Sequence, residues 1–126
     1  MFKKLLTAGV MALSLSAFAQ TEIEFWTYYL SPNFDNYIKS TIADFEKVNP
    51  TIKVKWLDKQ DTMERDLTAS IALGKAPDVV NLWQDSTFAG AQNKILLPIT
   101  QVVNRGVLNQ LYYPNVLDMF VTEGQV

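Results

Sequence analysis

Residues 76–85, which read APDVVNLWQD, constrain the fold of this chain more than any other stretch. Pro77 excludes a helix interior, and the apolar, β-branched run that follows it is typical of a buried strand. The run ends in Trp83, Gln84 and Asp85, an indole beside an amide and a carboxylate. We therefore predict a strand whose carboxyl end presents ligand-contacting side chains, which is where open parallel α/β sheets carry their sites.

Residues 1–19 are predicted to be a secretory signal peptide that is cleaved from the mature protein. Lys3 and Lys4 precede a mostly apolar run over residues 5–15, and Ala17-Phe18-Ala19 matches the small-x-small cleavage pattern. The alternative is an uncut membrane anchor, but the apolar run is shorter than the roughly 20 residues of a transmembrane helix. The sequence has no Cys to carry a lipid, so we expect a soluble periplasmic protein.

The composition of the chain disfavours several classes of function. The formal charge is −2, and losing Lys3 and Lys4 with the signal makes it −4, so neither nucleic acid nor an anionic membrane is an expected partner. The absence of His and Cys removes the commonest general base, the commonest metal ligands and any disulfide. We therefore predict no catalytic residue, no metal and no cofactor. Residues 20–126 suffice for one small core.

The first half of the mature chain reads as strand, helix, strand. Residues 22–29 are predicted to form the first strand, and Ser31 and Pro32 to open a helix over residues 33–48. Apolar residues at three- and four-residue steps predict a core-facing stripe on that helix: Phe34, Tyr37, Ile38, Ile42 and Phe45. Residues 51–57 alternate polar with apolar, which predicts a strand with one exposed face or at a sheet edge.

The second half continues the alternation of helices and strands. Asp61 and Glu64 have the spacing of a helix N-terminus, close to a capping box, and Gly74 is placed to end that helix. The strand of residues 76–85 follows, and Ser86 or Thr87 is predicted to cap a third helix. Further helical turns are predicted near residues 99–103 and 115–121. This order of elements predicts an α/β fold with a parallel sheet and right-handed crossovers.

Four short motifs, in this order along the chain, carry a resemblance to a known family. They are Phe25-Trp26-Thr27, FEKVNPTIKV at residues 45–54, GKAPDVV at residues 74–80, and Leu96-Leu97-Pro98-Ile99. Together they resemble the motifs of extracellular solute-binding proteins of ABC importers, in the family 1 group that captures sugars and oligosaccharides. The resemblance covers residues 23–99.

The resemblance implies a periplasmic binding protein-like fold of type II, in which two α/β lobes are hinged around a ligand cleft. Family members have several hundred residues, so residues 20–126 are expected to form a partial amino-terminal lobe, with a parallel sheet flanked by helices. The chain as a whole is then an amino-terminal fragment. The implied partners are a small sugar ligand and the membrane permease subunits of an ABC importer, and a monomer is expected.

The resemblance also implies that ligand contacts come from the loops that follow the strands. The matching residues are Trp26, Thr27 and Tyr28 after the first strand, Asp58 and Asp61 after the second, and Trp83, Gln84 and Asp85 after the third. Aromatic rings and planar polar groups suit a carbohydrate, which has apolar C–H faces and a hydroxyl rim.

For several of these residues a structural role remains open. Either Trp could be core packing, only one of Tyr28 and Tyr29 can face a cleft if the pleat continues, and the Asp residues could be turn or cap residues. Other functions also remain open: a binding protein for a different solute such as a polyamine, a fragment without independent function, or an exported glycosidase. The glycosidase is disfavoured because nothing fixes a pair of carboxylates at a catalytic separation.

Overall fold

A computed structural model describes residues 20–126, and the predicted signal peptide lies outside this described part. Its centre is a parallel three-stranded sheet in the order β2-β1-β3. The strands are β1 (Thr21–Thr27), β2 (Ile52–Asp58) and β3 (Val79–Val80). β1 pairs with β2 along its whole length and with β3 at Phe25 and Trp26. The predicted α/β class with a parallel sheet is confirmed, and β2 lies at an edge of this sheet, as its alternation predicts.

Helices connect and flank the strands within residues 20–126. The α-helices are α1 (Asp35–Val48), α2 (Met63–Ala72), α3 (Gln84–Gln92), α4 (Arg105–Leu111) and α5 (Pro114–Asp118), with 3₁₀ turns at Gln60–Thr62 and Ile99–Gln101. The periodicity did not predict α4, whose N-cap is Asn104. The Asn104 side chain accepts a hydrogen bond from the Gly106 amide at 2.7 Å, a local signal at a helix start. None of these helices has the length and apolar character that crossing a bilayer requires.

The start of α1 differs from the prediction, because the chain turns between β1 and the helix. β1 ends at Thr27 rather than at residue 29, since Tyr29 has a φ of +53°, which is incompatible with an extended strand. The helix begins at Asp35 after a turn in which the Pro32 carbonyl accepts the Asp35 amide at 3.3 Å. Its N-cap position is Phe34, without a side-chain cap, so the prediction that Ser31 caps this helix is wrong.

The caps predicted for α2 and α3 are also wrong. Asp61, predicted at the start of α2, lies in the 3₁₀ turn Gln60–Thr62, and Thr62 holds the N-cap position without a side-chain cap. Trp83 holds the N-cap position of α3, while the Ser86 hydroxyl donates to the Glu64 carboxylate at 2.6 Å. The predicted helix end is confirmed at Gly74, where φ is +65°.

The buried apolar residues are distributed over the sheet, α1, α2, α4 and α5. They are Trp26, Ile38, Met63, Leu108 and Leu117. The predicted core stripe of α1 is wrong in part: Ile38 is buried, but Phe34 is 51% exposed and Tyr37 is 68% exposed. The reason is that α1 lies over β2 at the edge of the sheet. Glu46 fixes it there, accepting the Val54 amide at 2.9 Å.

Candidate functional site

The predicted site residues gather around the carboxyl ends of three parallel strands. Thr27 and Asp58, the last residues of β1 and β2, lie directly opposite each other in the sheet. Val80 ends β3 beside Trp26, and Trp83 follows three residues later at the start of α3. Parallel pairing therefore brings loops that are distant in sequence to one edge of the sheet, as the sequence predicts.

A buried hydrogen-bond chain links the ends of β1 and β2. The fully buried Thr27 hydroxyl donates to Asp58 Oδ1 at 2.6 Å and accepts from the Trp56 indole N–H at 2.8 Å. Asp58 Oδ1 also accepts the backbone N–H of Leu30 at 3.0 Å. Trp56 thus donates to the Thr27 hydroxyl from the neighbouring strand, and Asp58 joins the end of β2 to the turn after β1.

Trp26 lies beneath this edge rather than on its surface, with 6% of the residue exposed. Its indole N–H donates to Glu24 at 3.0 Å, and the Lys59 ammonium lies 3.9 Å from the ring centroid, in cation–π contact. A ligand would reach this ring face only after Lys59 moved. Lys59 is not among the predicted site residues, although its position directly after β2 places it at the same edge.

An exposed cluster of three aromatic rings lies above the buried chain. We call Tyr28, Tyr29 and Trp83 the aromatic platform. The Tyr28 ring is 5.7 Å from Trp83 at an interplanar angle of 74°, and 5.0 Å from Tyr29 at 71°, both edge-to-face arrangements. Trp83 is 60% exposed and Tyr29 is 52% exposed. Tyr29 was not among the predicted site residues, because a continued strand pleat would have turned it away from Tyr28.

Three exposed polar residues complete the predicted set. Gln84 and Asp85 form the first turn of α3, immediately after Trp83, so Asp85 is not the helix cap. Asp61 lies in the 3₁₀ turn after β2. Partial burial raises the pKa of the Tyr29 hydroxyl, and the nearby Asp61 carboxylate raises it further. These groups offer carboxylate and amide hydrogen-bond partners beside the aromatic platform.

The eight predicted residues thus fall into layers. Trp26 and Thr27 lie beneath the surface, Tyr28 and Asp58 are half-buried, and Asp61, Trp83, Gln84 and Asp85 are exposed. Whether each one binds a ligand stays a prediction. Residues 20–126 hold no cluster of three or more acidic side chains suited to a metal ion.

A separate groove of about 1010 Å³, lined by both polar and apolar residues, lies on the β3 side of the described residues. Leu97, Ile99, Phe120 and Val126 are among its lining residues. None of the eight predicted site residues lines it. The groove is therefore a different surface from the strand-end site.

Comparison with known proteins places most of the chain in one family. The sequence profile of the bacterial extracellular solute-binding proteins matches residues 31–123. The match includes the turn at residues 74–80 and the Trp83 region. No curated protein sequence gives a significant match.

Solved structures share the fold of this chain. A candidate oligosaccharide periplasmic-binding protein from Synechococcus sp. MITs9220 is 31% identical, with a TM-score of 0.64 over 77% of this chain and 24% of its own. The sugar-binding protein MalE from Xanthomonas citri is 27% identical, with a TM-score of 0.71 over 84% of this chain and 27% of its own. The substrate-binding protein Lmo0181 from Listeria monocytogenes, solved with cycloalternan, is 22% identical, with a TM-score of 0.65 over 84% of this chain and 27% of its own. This chain therefore spans about a quarter of the length of the structures it matches.

Proposed function

Since the chain belongs to the bacterial extracellular solute-binding protein family, we propose that it captures a sugar or oligosaccharide outside the cytoplasmic membrane and delivers it to the permease of an ABC importer. The proposal includes export to the periplasm by a cleaved signal peptide over residues 1–19, and action as a monomer without catalysis. The two relatives described above with more than 25% identity are a candidate oligosaccharide-binding protein and a sugar-binding protein, which supports this ligand class.

The exposed Trp83 indole, held edge-to-face against Tyr28 at the strand ends, is the observation that carries the proposal. An open indole face beside amide and carboxylate groups suits a pyranose, whose C–H face stacks on the ring while its hydroxyls bond to the polar rim. We propose that Trp83 and Tyr28 stack on the sugar, with Gln84, Asp85 and Asp61 on its hydroxyls. Trp26, Thr27 and Asp58 would support this surface from below.

Calorimetry on the full-length protein against a panel of gluco-, galacto- and xylo-oligosaccharides tests this proposal. The Trp83→Ala variant should weaken binding of the best ligand by about tenfold or more, the scale of losing a central aromatic anchor. The matched control is Tyr113→Ala, which removes a 79% exposed aromatic ring at the start of α5, outside the site. Equal affinity in the Trp83 and Tyr113 variants would reject the stacking role.

A polyamine-binding function is the second candidate, because the exposed rim includes the carboxylates of Asp61 and Asp85. A polyamine would use these charges and the faces of the aromatic rings. Adding spermidine to the same calorimetric panel separates the two functions. Turnover of any oligosaccharide by the full-length protein would instead favour the glycosidase.

A further inference from the structure

The turn between β1 and α1 has a strained residue at its centre. Tyr29 has a φ of +53°, a backbone conformation that is unfavourable for a bulky aromatic residue. Such residues persist when their surroundings fix the backbone on both sides, and they cluster at functional sites. Tyr29 and its neighbour Tyr28 are also two of the three members of the aromatic platform.

Asp58 fixes the backbone on both sides of this strained residue. Its Oδ1 accepts the Thr27 hydroxyl at 2.6 Å, before the two tyrosines, and the Leu30 amide at 3.0 Å, after them. The Trp56 indole N–H holds the Thr27 hydroxyl in turn at 2.8 Å. One carboxylate oxygen therefore closes the turn that presents Tyr28 and Tyr29.

The carboxylate of Asp58 is badly placed for other roles. Its Oδ1 already receives two donors from the turn, and its Oδ2 is buried and shielded from an incoming ligand, with no hydrogen-bond partner among residues 20–126. It does not cap the 3₁₀ turn that follows, where Lys59 holds the N-cap position without a side-chain cap.

We propose that Asp58 is a positioning residue for the aromatic platform. Its Oδ1 holds the turn of residues 27–30 in the one conformation that sets Tyr28 edge-on to Trp83. The significance of this role for ligand binding rests on the proposed function. Without the carboxylate oxygen, the turn relaxes from the left-handed conformation at Tyr29, and the platform is assembled for only a fraction of the time.

Because Oδ1 accepts both hydrogen bonds, two substitutions of Asp58 should have different effects on the turn. Asp58→Ala removes the acceptor, whereas Asp58→Asn keeps an oxygen that can accept from both Thr27 and Leu30. Asp44→Ala is the matched control, since it removes an exposed carboxylate in α1, outside the predicted site. If Asp58→Ala does not fold, Thr27→Val and Thr27→Ser form the equivalent pair, because Val removes the hydroxyl donor and Ser keeps it.

Near-UV circular dichroism of the ligand-free, full-length protein is the first measurement. The Trp83 contribution is defined as the difference between the wild-type and Trp83→Phe spectra. Asp58→Ala should lose most of that contribution while the far-UV spectrum is unchanged, and Asp58→Asn and Asp44→Ala should retain it. This readout needs no ligand, so it tests the inference even if the protein binds no sugar.

Calorimetry with the tightest-binding member of the oligosaccharide panel is the second measurement. If Asp58→Ala leaves the platform assembled a tenth of the time, its apparent dissociation constant rises about tenfold, whereas Asp58→Asn stays within about twofold of wild type. Two results would overturn the proposal. One is an Asp58→Ala protein that keeps the Trp83 contribution to the near-UV spectrum. The other is an Asp58→Asn protein that keeps this spectral contribution but binds the oligosaccharide as weakly as the Ala variant. That result would mean that the carboxylate contacts the ligand itself.

Discussion

Met63, the first residue of α2, illustrates how strongly position within one helix decides the contribution of an apolar side chain. It is completely buried, whereas Leu73, at the carboxyl end of the same helix, is 72% exposed. Burial of apolar surface stabilises the folded state by about 25 cal/mol per Å², so similar side chains contribute very differently at these two positions.

Met63→Ala should therefore destabilise the protein by about 2–5 kcal/mol, through lost burial and the cavity left behind. Leu73→Ala, its matched control, should change the free energy of unfolding by no more than about 0.5 kcal/mol. Urea unfolding of the full-length protein, followed by far-UV circular dichroism, measures both. A Met63 variant as stable as the Leu73 variant would mean that this part of the core repacks around the gap.

The two tryptophans of the candidate site show that side-chain exposure cannot be predicted from local sequence alone. Trp26 and Trp83 both lie towards the carboxyl end of a predicted strand, and the sequence supports either a site or a packing role for each. The difference arises from tertiary contacts: Lys59 covers a face of Trp26, whereas the start of α3 exposes Trp83 beside Tyr28. These neighbours come from other loops, so no local pattern could predict them.

At the scale of elements, the pairing of β1 with β2 places Glu24 directly opposite Lys55. The two side chains form an ion pair at 2.6 Å on the exposed part of the sheet. The Lys55 ammonium, and next the Trp26 indole N–H, lower the pKa of Glu24 below its ordinary value of 4.5. A carboxyl whose folded pKa is lowered stabilises the protein above its unfolded pKa and loses that contribution as the pH falls.

Glu24→Gln should consequently lower the melting temperature at pH 7, and the difference from wild type should shrink as the pH falls below about 4.5 towards the folded pKa. Because both side chains are partly exposed, the contribution of the pair to stability should be small, and smaller still at high salt. Thermal unfolding of Glu24→Gln, Lys55→Gln and the double variant from pH 3 to about 7 isolates the pair in a double-mutant cycle. A coupling energy that does not change over this pH range would contradict the assignment.

The elements that sequence predicted best are those set by periodicity. The alternation in β2 and the stop at Gly74 follow from local chemistry, and the structure agrees with both. The third strand is shorter than predicted, because only Val79–Val80 of residues 76–85 pair in the sheet and α3 already begins at Gln84. Helix starts were predicted poorly, because Asp61 lies in a 3₁₀ turn before α2 and Ser86 bonds to a side chain of α2 rather than to a free helix amide. The turn at Tyr29 was missed for the same reason, since a carboxylate on another strand holds it.

At the scale of the whole molecule, net charge and its placement decide which ligand class the site favours. The formal charge is −2, and near the platform the carboxylates of Asp61 and Asp85 are exposed. Lys59 is turned inward, onto Trp26 and towards Asp66 at 3.5 Å. The rim of the platform therefore presents negative charge, which a polyamine would exploit and a neutral sugar would use only through hydrogen bonds.

Salt dependence separates these two uses of the same surface. Charge–charge attraction is screened over a Debye length of about 8 Å at 0.15 M salt and about 3 Å at 1 M, whereas stacking and neutral hydrogen bonds are not. The affinity for a neutral oligosaccharide should change less than about twofold between these salt concentrations. The Asp85→Asn variant should show the same small change. A polyamine should instead bind at least about tenfold more weakly at 1 M salt, and Asp85→Asn should reduce both its affinity and the dependence of that affinity on salt.

Calorimetric titrations of the full-length protein at the two salt concentrations measure both affinities. Lys94→Gln, just after α3, is the charge-changing control. A steep loss of oligosaccharide affinity at high salt would show that charge, rather than the aromatic platform, dominates recognition.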